Sequence, residues 1–434
     1  MGRAKPVPKK ITPVWMALGA AGAAAAGAYA VKGAHYRHEA GLSFRLDDPP
    51  PPGTPAFARL VESWCGAPAR DGNRVEVLRN GEEIFPSMLE AIASATRTVD
   101  FSTYIMWAGD TATTFAEALM DRARAGVNVN VMLDAWGSAQ MDRTLVTRME
   151  EAGARFVWFR TPRWYTLDKL NNRSHRRILV IDGRVGFTGG MGVAEEWAGD
   201  AAEPGSWRET HLRVEGPAVR DLVGAFADHW VEETGEVLGC DHLPELTAFD
   251  DGVAVQVSKS SASGGRAAAE ALVFAAIVGA RDRLWLTTAY FAPRRALVDA
   301  LVEAAERGVD VRILVNGPNI DKEVVRRVGQ RSYAGLLQGG VRVFEYQRTM
   351  MHAKVVLADD CWANVGTANF DNRSLSLQDE MNCSVVDAEL VAELEKHFLH
   401  DFDGSEEILL ERWRERPLRA RAFEAATESV RHSL

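Results

Sequence analysis

Two copies of one pattern of side chains could carry out chemistry on phosphorus. Each copy has a histidine, a cationic residue two positions later and an aspartate five positions after the cation. The copies are His175-Arg177-Asp182 and His352-Lys354-Asp359. Near neutral pH an imidazole can attack phosphorus or transfer a proton, and cations can hold the non-bridging phosphoryl oxygens. Together the two copies predict phosphoryl transfer, in which one histidine is the nucleophile and the other is the acid and base.

Strands are expected to position these side chains. We interpret each copy as part of a strand, and alternate residues of a strand face the same side, so each histidine and its cation would point into one cleft. Each aspartate would lie at the end of its strand. This chemistry needs no metal or cofactor, and the sequence has no HExxH motif and no paired-carboxylate cluster. We therefore predict neither a metal nor a cofactor.

The chain repeats itself around the two copies. An amphipathic helix, a glycine and a strand form a unit that is preceded by a strand and followed by an aromatic strand. The repeated segments pair as 98–104 with 284–290, 116–133 with 297–315, and 153–159 with 340–346. Strands that alternate with helices predict two homologous α/β sandwich halves. Such a duplication can bring two copies of one side-chain set to a pseudo-twofold axis.

Composition narrows the class of protein. The 434 residues are 47% hydrophobic and 25% charged, which excludes a disordered chain. The four cysteines form no CxxC, which argues against a disulfide scaffold and a zinc ribbon. The formal charge of −10 divides unevenly, because residues 1–46 carry +6 and leave −16 for the rest. An acidic body is a poor default binder of nucleic acid, so no nucleic-acid partner is expected.

The basic N-terminal segment predicts a membrane anchor. The 21 residues from 11 to 31 are uncharged and lie between Lys10 and Lys32. As a helix they would span about 32 Å, enough for the hydrocarbon core of a bilayer. A cleaved signal peptide is an alternative, because Ala28-Tyr29-Ala30 fits a cleavage site, and a soluble alanine-rich helix is another. The flanking basic residues favour an N-terminus inside and a body outside, without deciding the side.

These observations predict six segments along the chain. The C-terminal one is rich in arginine beside Leu409, Leu410 and Trp413, and it could either lie on anionic lipid with the indole inserted or form a solvated helix. The segments are a basic tail at 1–10, a transmembrane helix at 11–31, a linker at 32–75, a first half at 76–245, a second half at 246–405 and a basic amphipathic tail at 406–434.

The sequence resembles the phospholipase D superfamily and, within it, the bacterial cardiolipin synthases. The resemblance extends from about residue 76 to the C-terminus. It rests on the two histidine motifs, on the stretch 366–374 with Glu380 beyond it, on Tyr290-Phe291-Ala292-Pro293, on the stretch 207–217 and on Asn319.

The resemblance implies a role for each matching residue. His175 would become a covalent phosphatidyl-histidine, and His352 would be the acid and base. Three residues would hold the phosphate, namely Arg177, Lys354 and Asn369. The other matching residues would support them, namely Asp182, Asp359, Gly366, Thr367 and Glu380.

The first half departs from the family pattern at two positions. Arg177 stands where the family has lysine, and Gly192 stands where the family has asparagine. Arginine keeps the charge but is longer and planar, so this exchange is not conservative. Glycine removes a phosphate donor. The phosphate could therefore be bound in an altered geometry by this half.

We predict a cardiolipin synthase that transfers a phosphatidyl group between two phosphatidylglycerols and releases glycerol. Its partners would be the phospholipids of the membrane, phosphatidylglycerol and cardiolipin. Its location would be the bacterial cytoplasmic membrane, with a single N-terminal anchor. The alternatives are a phospholipase D hydrolase or transphosphatidylase acting on another phosphodiester, an endonuclease of the superfamily, and a lipid-binding relative without catalytic activity.

Overall fold

Helices and strands alternate through both halves of the chain, as the repeats predict. The computed structural model describes residues 45–162, 172–261 and 268–416. In the first half the strands are β1 Arg70–Arg79, β2 Thr98–Thr103, β3 Asn128–Asp134, β4 Arg155–Phe159, β5 Ile178–Ile181, β6 Val185–Gly189, β7 Trp207–Arg208 and β8 Thr210–Glu215. In the second they are β9 Val253–Ser260, β10 Arg283–Thr287, β11 Phe291–Ala292, β12 Asp310–Asn316, β13 Arg342–Tyr346, β14 Met350–Met351, β15 Val355–Ala358, β16 Trp362–Gly366, β17 Phe370–Asp371, β18 Glu380–Val386 and β19 Ser405–Glu407.

The helices cover both faces of the sheet. They are α1 Pro55–Cys65, α2 Asn80–Ser94, α3 Asp110–Arg124, α4 Arg143–Glu151, α5 Val219–Thr234, α6 Ala268–Gly279, α7 Arg295–Glu306, α8 Glu323–Gly329, α9 Tyr333–Gln338, α10 Asn372–Ser376, α11 Ala388–Asp403 and α12 Leu410–Arg414. Short 3₁₀ turns lie at Glu195–Trp197, Cys240–His242 and Gln330–Ser332. One face of the sheet packs on α5 and α11. The other face packs on α2, α3 and α4 in the first half and on α1, α6, α7 and α9 in the second.

The strand order repeats from one half to the other. Read inwards from its outer edge, the first half runs β4-β3-β2-β5-β6-β8-β1, and the second runs β13-β12-β10-β15-β16-β18-β9 with β19 added outside. Strands β1 and β9 pair antiparallel, so the two halves form one 15-stranded sheet. The predicted α/β architecture of two similar halves is confirmed in this order.

Helix α3 and strand β3 illustrate why the repeated unit folds as it does. The buried residues Ala112, Phe115, Ala116 and Leu119 recur at helical spacing on α3. The chain then turns at Gly126, whose φ of +87° favours glycine. Strand β3 is buried on both faces, as expected for a parallel strand covered by helices.

Short strand pairs bring the histidine motifs across from one half to the other. Strand β14, which precedes His352, pairs in parallel with β7, which precedes Glu209. Likewise Ser174, which precedes His175, bridges in parallel to Asp379, which precedes Glu380. Each histidine segment therefore lies beside a glutamate segment of the opposite half.

Two local expectations differ from the structure. The histidines and their cations precede β5 and β15 instead of lying within them, because their backbones pair with the glutamate segments. Trp413 is buried and its ring lies 5.0 Å from that of Tyr333, so it is not available for insertion into lipid.

The segment predicted as a linker contains ordered structure in its described part. Helix α1 begins after Thr54, whose hydroxyl accepts a hydrogen bond from the Phe57 backbone, and Phe57 and Val61 pack into the core of the second half. The predicted membrane helix at 11–31 and the tail beyond residue 416 lie outside the described residues. Within the described ranges no helix has both the length and the apolarity to cross a bilayer.

Candidate active site

His175 is held between a carboxylate and a guanidinium. Its Nδ1 lies 2.9 Å from Glu380 Oε1, and its Nε2 lies 3.0 Å from Arg177 Nη2. Arg177 also donates to the His175 carbonyl at 2.7 Å. When Glu380 is ionised, its carboxylate accepts the Nδ1 proton of His175, so the lone pair is on Nε2. Nε2 is therefore the nitrogen placed to attack.

His352 has the corresponding set of partners from the other half. Its Nδ1 lies 2.6 Å from Glu209 Oε2. Lys354 Nζ lies 3.0 Å and 3.2 Å from the two ring nitrogens, and it also donates to the His352 carbonyl. Arg177 and Lys354 thus each bond to the carbonyl of the histidine two residues before. The arginine in the first motif consequently keeps the position of the lysine in the second.

Backbone hydrogen bonds fix each histidine to the segment that carries its carboxylate. The His175 amide donates to the Asp379 carbonyl at 2.8 Å, and the His352 amide donates to the Arg208 carbonyl at 2.8 Å. Glu380 and Glu209 are fully buried, so both carboxylates are held by the protein interior. The site is therefore assembled only when the two halves are joined.

Burial shifts the pKa of both histidines, of their glutamate partners and of Lys354. It raises the pKa of Glu380 to about 8 and that of Glu209 to about 7, and it lowers the pKa of Lys354 to about 7. Burial, together with the charges of Arg177 and Lys354, holds the pKa of His175 and of His352 well below the ordinary value. Neutral imidazoles are thus favoured in the empty site, as a nucleophile requires.

Both histidines line one cavity of about 490 Å³. Its size is typical of a small-ligand site. Besides His175 and His352, its lining residues are Tyr104, Ile105, Trp107, Trp136, Gly137, Ala139, Gln140, Arg177, Trp207, Tyr290, Asp321, Lys322, Val325, Asn369, Asp371, Arg373, Ser374 and Gln378. The charged lining residues are three cations, Arg177, Lys322 and Arg373, and two acids, Asp321 and Asp371. Cations beside aromatic rings suit an anionic headgroup on an apolar molecule.

Two buried polar atoms at the cavity have no hydrogen-bond partner among the described residues. They are Arg177 Nε and Asn369 Oδ1. Asn369 Nδ2 makes one long bond of 3.5 Å to Ser374 Oγ. Buried polar groups are normally satisfied, so these atoms indicate that a ligand supplies the missing partners. Arg177 was predicted to hold the phosphate, and its Nε–H can donate to a phosphoryl oxygen. Asn369 was predicted to do the same, but its Oδ1 is an acceptor and requires a donor such as a hydroxyl of the ligand.

Gly366 and Thr367 help to position Glu380, the partner of His175. The Thr367 hydroxyl donates to Glu380 Oε2, and its amide donates to the Met381 carbonyl. A Cβ on Gly366 would lie 2.1 Å from Asn382 Oδ1, so only glycine allows β16 to approach β18 at this point.

The two motif aspartates are not brought to the cavity. Asp182 accepts hydrogen bonds from the backbone amides of Thr96, Arg97 and Thr98. Asp359 accepts from the amides of residues 281–283. The prediction that these aspartates support the histidines is corrected here, because both lie at the far ends of their strands and carboxylates of glutamate hold the imidazoles instead.

The two ends of the site differ in polarity. In the repeat, Gly192 corresponds to Asn369, and a Cβ on Gly192 would lie 3.0 Å from both Ile105 and Trp197. The Trp197 ring contacts His352 edge-on at 5.2 Å, and the Trp207 ring stacks on it at 4.9 Å. The first half thus places two tryptophan rings around His352, whereas His175 has one ring edge-on, that of Tyr104 at 5.2 Å, and shares the cavity with Asn369 of the second half.

Sequence reasoning missed several of these residues. Glu209 lies in the stretch 207–217 that supports the family resemblance. It lies just before β8, and Glu380 lies at the start of β18, the equivalent strand of the second half. Alignment of the two halves would therefore have identified Glu209. His229 had no such signal. Its two ring nitrogens lie 3.2 Å from Ser174 Oγ and 3.1 Å from Asp379 Oδ2, so it links the residues before His175 and before Glu380.

Comparisons with known proteins identify the family of the chain. A family model described as "Cardiolipin synthase, PLD-like domain" matches residues 88–203 and 273–402. Cardiolipin synthase from Halalkalibacterium halodurans is 34% identical over 371 residues, which cover 85% of this chain and 73% of that protein. A probable cardiolipin synthase from Bacillus subtilis is 34% identical over 338 residues, which cover 77% and 67%.

A solved structure extends the comparison to the fold. Phosphatidylserine synthase from Haemophilus influenzae matches with a TM-score of 0.62 at 14% identity, covering 86% of this chain and 98% of that one. The sheet and the paired histidine motifs define a phosphatidyltransferase of the phospholipase D superfamily. Within it, the chain belongs to the bacterial cardiolipin synthases. The family and enzyme class predicted from the sequence are confirmed.

Proposed function

We propose that the protein joins two phosphatidylglycerol molecules through a covalent phosphatidyl-histidine. The observation that carries the proposal is the pair of buried histidines at one cavity, each with Nδ1 on a glutamate and a cation beside its ring. Such pairs supply a nucleophile and a proton donor without a metal.

In the first step, Nε2 of His175 attacks phosphorus and the bond from phosphorus to the glycerol oxygen breaks. The negative charge of the bound phosphate offsets those of Arg177 and Lys354, so His352 takes up a proton in the substrate complex. His352 gives this proton to the departing oxygen, and glycerol leaves. Arg177 and Lys354 offset the charge that develops on the non-bridging oxygens. Glu209 stabilises the protonated form of His352, as a buried carboxylate does for an imidazolium.

In the second step, a hydroxyl of the second phosphatidylglycerol gives its proton to His352 and attacks phosphorus. The bond from phosphorus to His175 breaks and cardiolipin is released. Water in place of this hydroxyl would give phosphatidic acid, the product of a hydrolase. The aromatic rings beside His352 favour the synthase over the hydrolase, because they reduce the access of water to the entering side.

Product analysis tests the overall reaction. The full chain supplied with phosphatidylglycerol alone is expected to form cardiolipin and glycerol in equal amounts, measured by mass spectrometry. Phosphatidic acid as the sole product would instead assign the protein as a hydrolase.

The covalent step can be tested with an activated lipid. In phosphatidyl p-nitrophenol the leaving group needs no proton, so only the second step requires His352. We expect His352→Asn to accumulate a phosphatidyl adduct, seen as added mass on the intact protein. His175→Asn should form none. An adduct on His175→Asn but not on His352→Asn would reverse the two roles.

The remaining proposals concern the membrane and the segments. We place the protein in the bacterial cytoplasmic membrane through one anchor at 11–31, preceded by the tail 1–10, with the halves at 76–245 and 246–405. The support is the uncharged stretch between Lys10 and Lys32. Resistance of the full chain to extraction by alkaline carbonate would support the anchor, and its loss when Ala24 is replaced by Asp would locate it.

A further inference from the structure

An exposed tryptophan stands at the opening of the cavity. Trp136 lines the cavity although its residue is 63% exposed. The loop that carries it is tied down, because the amides of Trp136 and Gly137 donate to Asp134 Oδ1 at 2.9 Å and 3.0 Å. Asp134 is itself buried in an ion pair with Arg173 at 3.0 Å. The fold thus holds a large apolar ring in solvent at a fixed place.

Residues at the start of helix α8 also line the cavity. Lys322 lines the cavity, is exposed and lies with Nζ 4.8 Å from the centre of the Tyr290 ring. Val324 beside it is 48% exposed, whereas the next residue, Val325, is buried in the cavity wall. A Cβ on Gly329 would lie 2.0 Å from the Phe291 carbonyl oxygen, so α8 packs closely on the strand beneath it. We call Trp136, Lys322 and Val324 the cavity rim.

The proposed substrate restricts what can face this rim. Each methylene group of an acyl chain shifts the partition constant between bilayer and water about fourfold in favour of the bilayer. A lipid with two long acyl chains therefore cannot be lifted out of the membrane whole, and a cavity of about 490 Å³ suits the headgroup. The acyl chains must stay in the bilayer while the phosphate reaches His175 and His352.

We infer that the cavity rim docks on the surface of a phospholipid bilayer, with the Trp136 ring among the headgroups and Lys322 against lipid phosphates. Tryptophan favours this interface, since its ring is largely apolar and its N–H is polar. A lysine can pair with a lipid phosphate, and this pairing is short-ranged here because the exposed Asp321 and Glu323 flank Lys322. The inference rests on the proposed function, because it is the lipid substrate that requires the opening to face the membrane.

Kinetics on two forms of one substrate test the inference. Turnover by the full chain is measured on phosphatidylglycerol in vesicles and on its dibutyryl analogue, which is dissolved as monomers. We expect the double variant Trp136→Ser/Val324→Ser to lower the ratio of vesicle to monomer turnover by about tenfold. The matched control is Trp64→Ser, since Trp64 is 41% exposed and does not line the cavity.

Two results would overturn the inference. An unchanged ratio in the double variant would show that the rim does not meet the bilayer. An equal fall of the ratio in Trp64→Ser would show that membrane contact is not located at the cavity.

A fluorescence measurement separates this inference from the proposed function. Trp136→Cys and Trp64→Cys are labelled with bimane in full chains that carry Cys240→Ser and Cys361→Ser, and are reconstituted with nitroxide lipids. Quenching is expected at position 136 and not at position 64, whether or not cardiolipin forms. If wild type forms no cardiolipin but position 136 is quenched, the proposed function fails and the docking surface stands. Equal quenching at both positions, or none at 136, overturns the docking surface.

Discussion

The carboxylates that orient the two histidines are exchanged between the halves. Glu380 of the second half holds His175 of the first, and Glu209 of the first holds His352 of the second. Each pair is buried, so each histidine is fixed in position and tautomer before substrate arrives. At the scale of single residues, the chemistry therefore depends on contacts between residues that are far apart in sequence.

The charge of Lys354 predicts a pH dependence. Burial lowers the pKa of Lys354 to about 7, so in the empty site its positive charge is lost as the pH rises above that value. Because the cation attracts the substrate phosphate, kcat/KM is expected to fall on the alkaline side of pH 7. The measurement is kcat/KM between about pH 5.5 and about pH 9, a range that extends to both sides of the pKa of Lys354. Lys354→Arg should move the fall to higher pH, and an unmoved fall would assign it to another group.

Gly192 predicts that restoring the family's asparagine will be harmful. A side chain at 192 would press on Ile105 and Trp197, whose ring contacts His352. We expect Gly192→Asn to lower the free energy of unfolding by about 1–3 kcal/mol, as overpacking does, and to lower kcat. Urea denaturation and turnover measure both. Gly239→Asn is the control, because nothing lies within 4 Å of its added Cβ. A stable Gly192→Asn with higher turnover would contradict this expectation.

At the scale of secondary-structure elements, the motif aspartates join strands. Asp182 follows β5 with a φ of +52°, and its carboxylate accepts hydrogen bonds from amides at the start of β2. Asp359 follows β15 with a φ of +53°, and its carboxylate accepts hydrogen bonds from amides at the start of β10. Because β5 and β15 are equivalent in the strand order, one local structure serves both motifs. The aspartate of each motif thus fixes the strand that the histidine precedes.

Asp182→Asn should therefore weaken folding and spare catalysis. An amide accepts the three backbone N–H bonds less well than a carboxylate, so we expect the free energy of unfolding at pH 7 to fall by about 1–2 kcal/mol. Turnover per folded molecule should stay within about twofold. Chemical denaturation and active-site titration are the measurements. A loss of turnover in fully folded protein would place Asp182 in the reaction after all.

The same variant has a predicted pH signature. Burial raises the pKa of Asp182, but hydrogen bonds from Thr96 and from the backbone of Arg97 and Thr98 outweigh it, so the pKa is lowered overall. Stability from a lowered carboxyl pKa is present above the unfolded value of about 3.9 and is lost as the pH falls through the folded value. The difference in unfolding free energy between wild type and Asp182→Asn should therefore shrink below about pH 4.

At the scale of the whole molecule, the net charge favours a lipid enzyme over a nuclease. The chain carries −10 overall, and the basic residues of 1–46 leave the remainder at −16. Affinity for nucleic acid comes largely from neutralising phosphates, which an acidic surface opposes.

We therefore expect no cleavage of duplex DNA at about 0.15 M salt, a condition at which long-range attraction is screened. The assay is gel analysis of plasmid DNA under conditions in which phosphatidylglycerol is turned over. His175→Asn serves as the control for contaminating nuclease. Cleavage that depends on His175 would restore the endonuclease alternative.

The sequence by itself determined the duplication, the two α/β halves and the pairing of each histidine with a cation two residues later. Those features are local, because periodicity of apolar residues sets helices and strands and a fixed spacing sets each histidine and its cation. Arg177, Lys354 and Asn369 could be named for the same reason, as they lie within or close behind a motif.

Only the tertiary structure decided which carboxylates serve the histidines and where the cavity opens. Strand pairing brings Glu209 to His352 and Glu380 to His175 across separations of 143 and 205 residues, and no local pattern encodes such a contact. It also directs Asp182 and Asp359 away from the cavity and leaves Trp136 exposed at its opening. These outcomes depend on how the two halves pack around their shared sheet, which is a property of the folded chain and not of any segment alone.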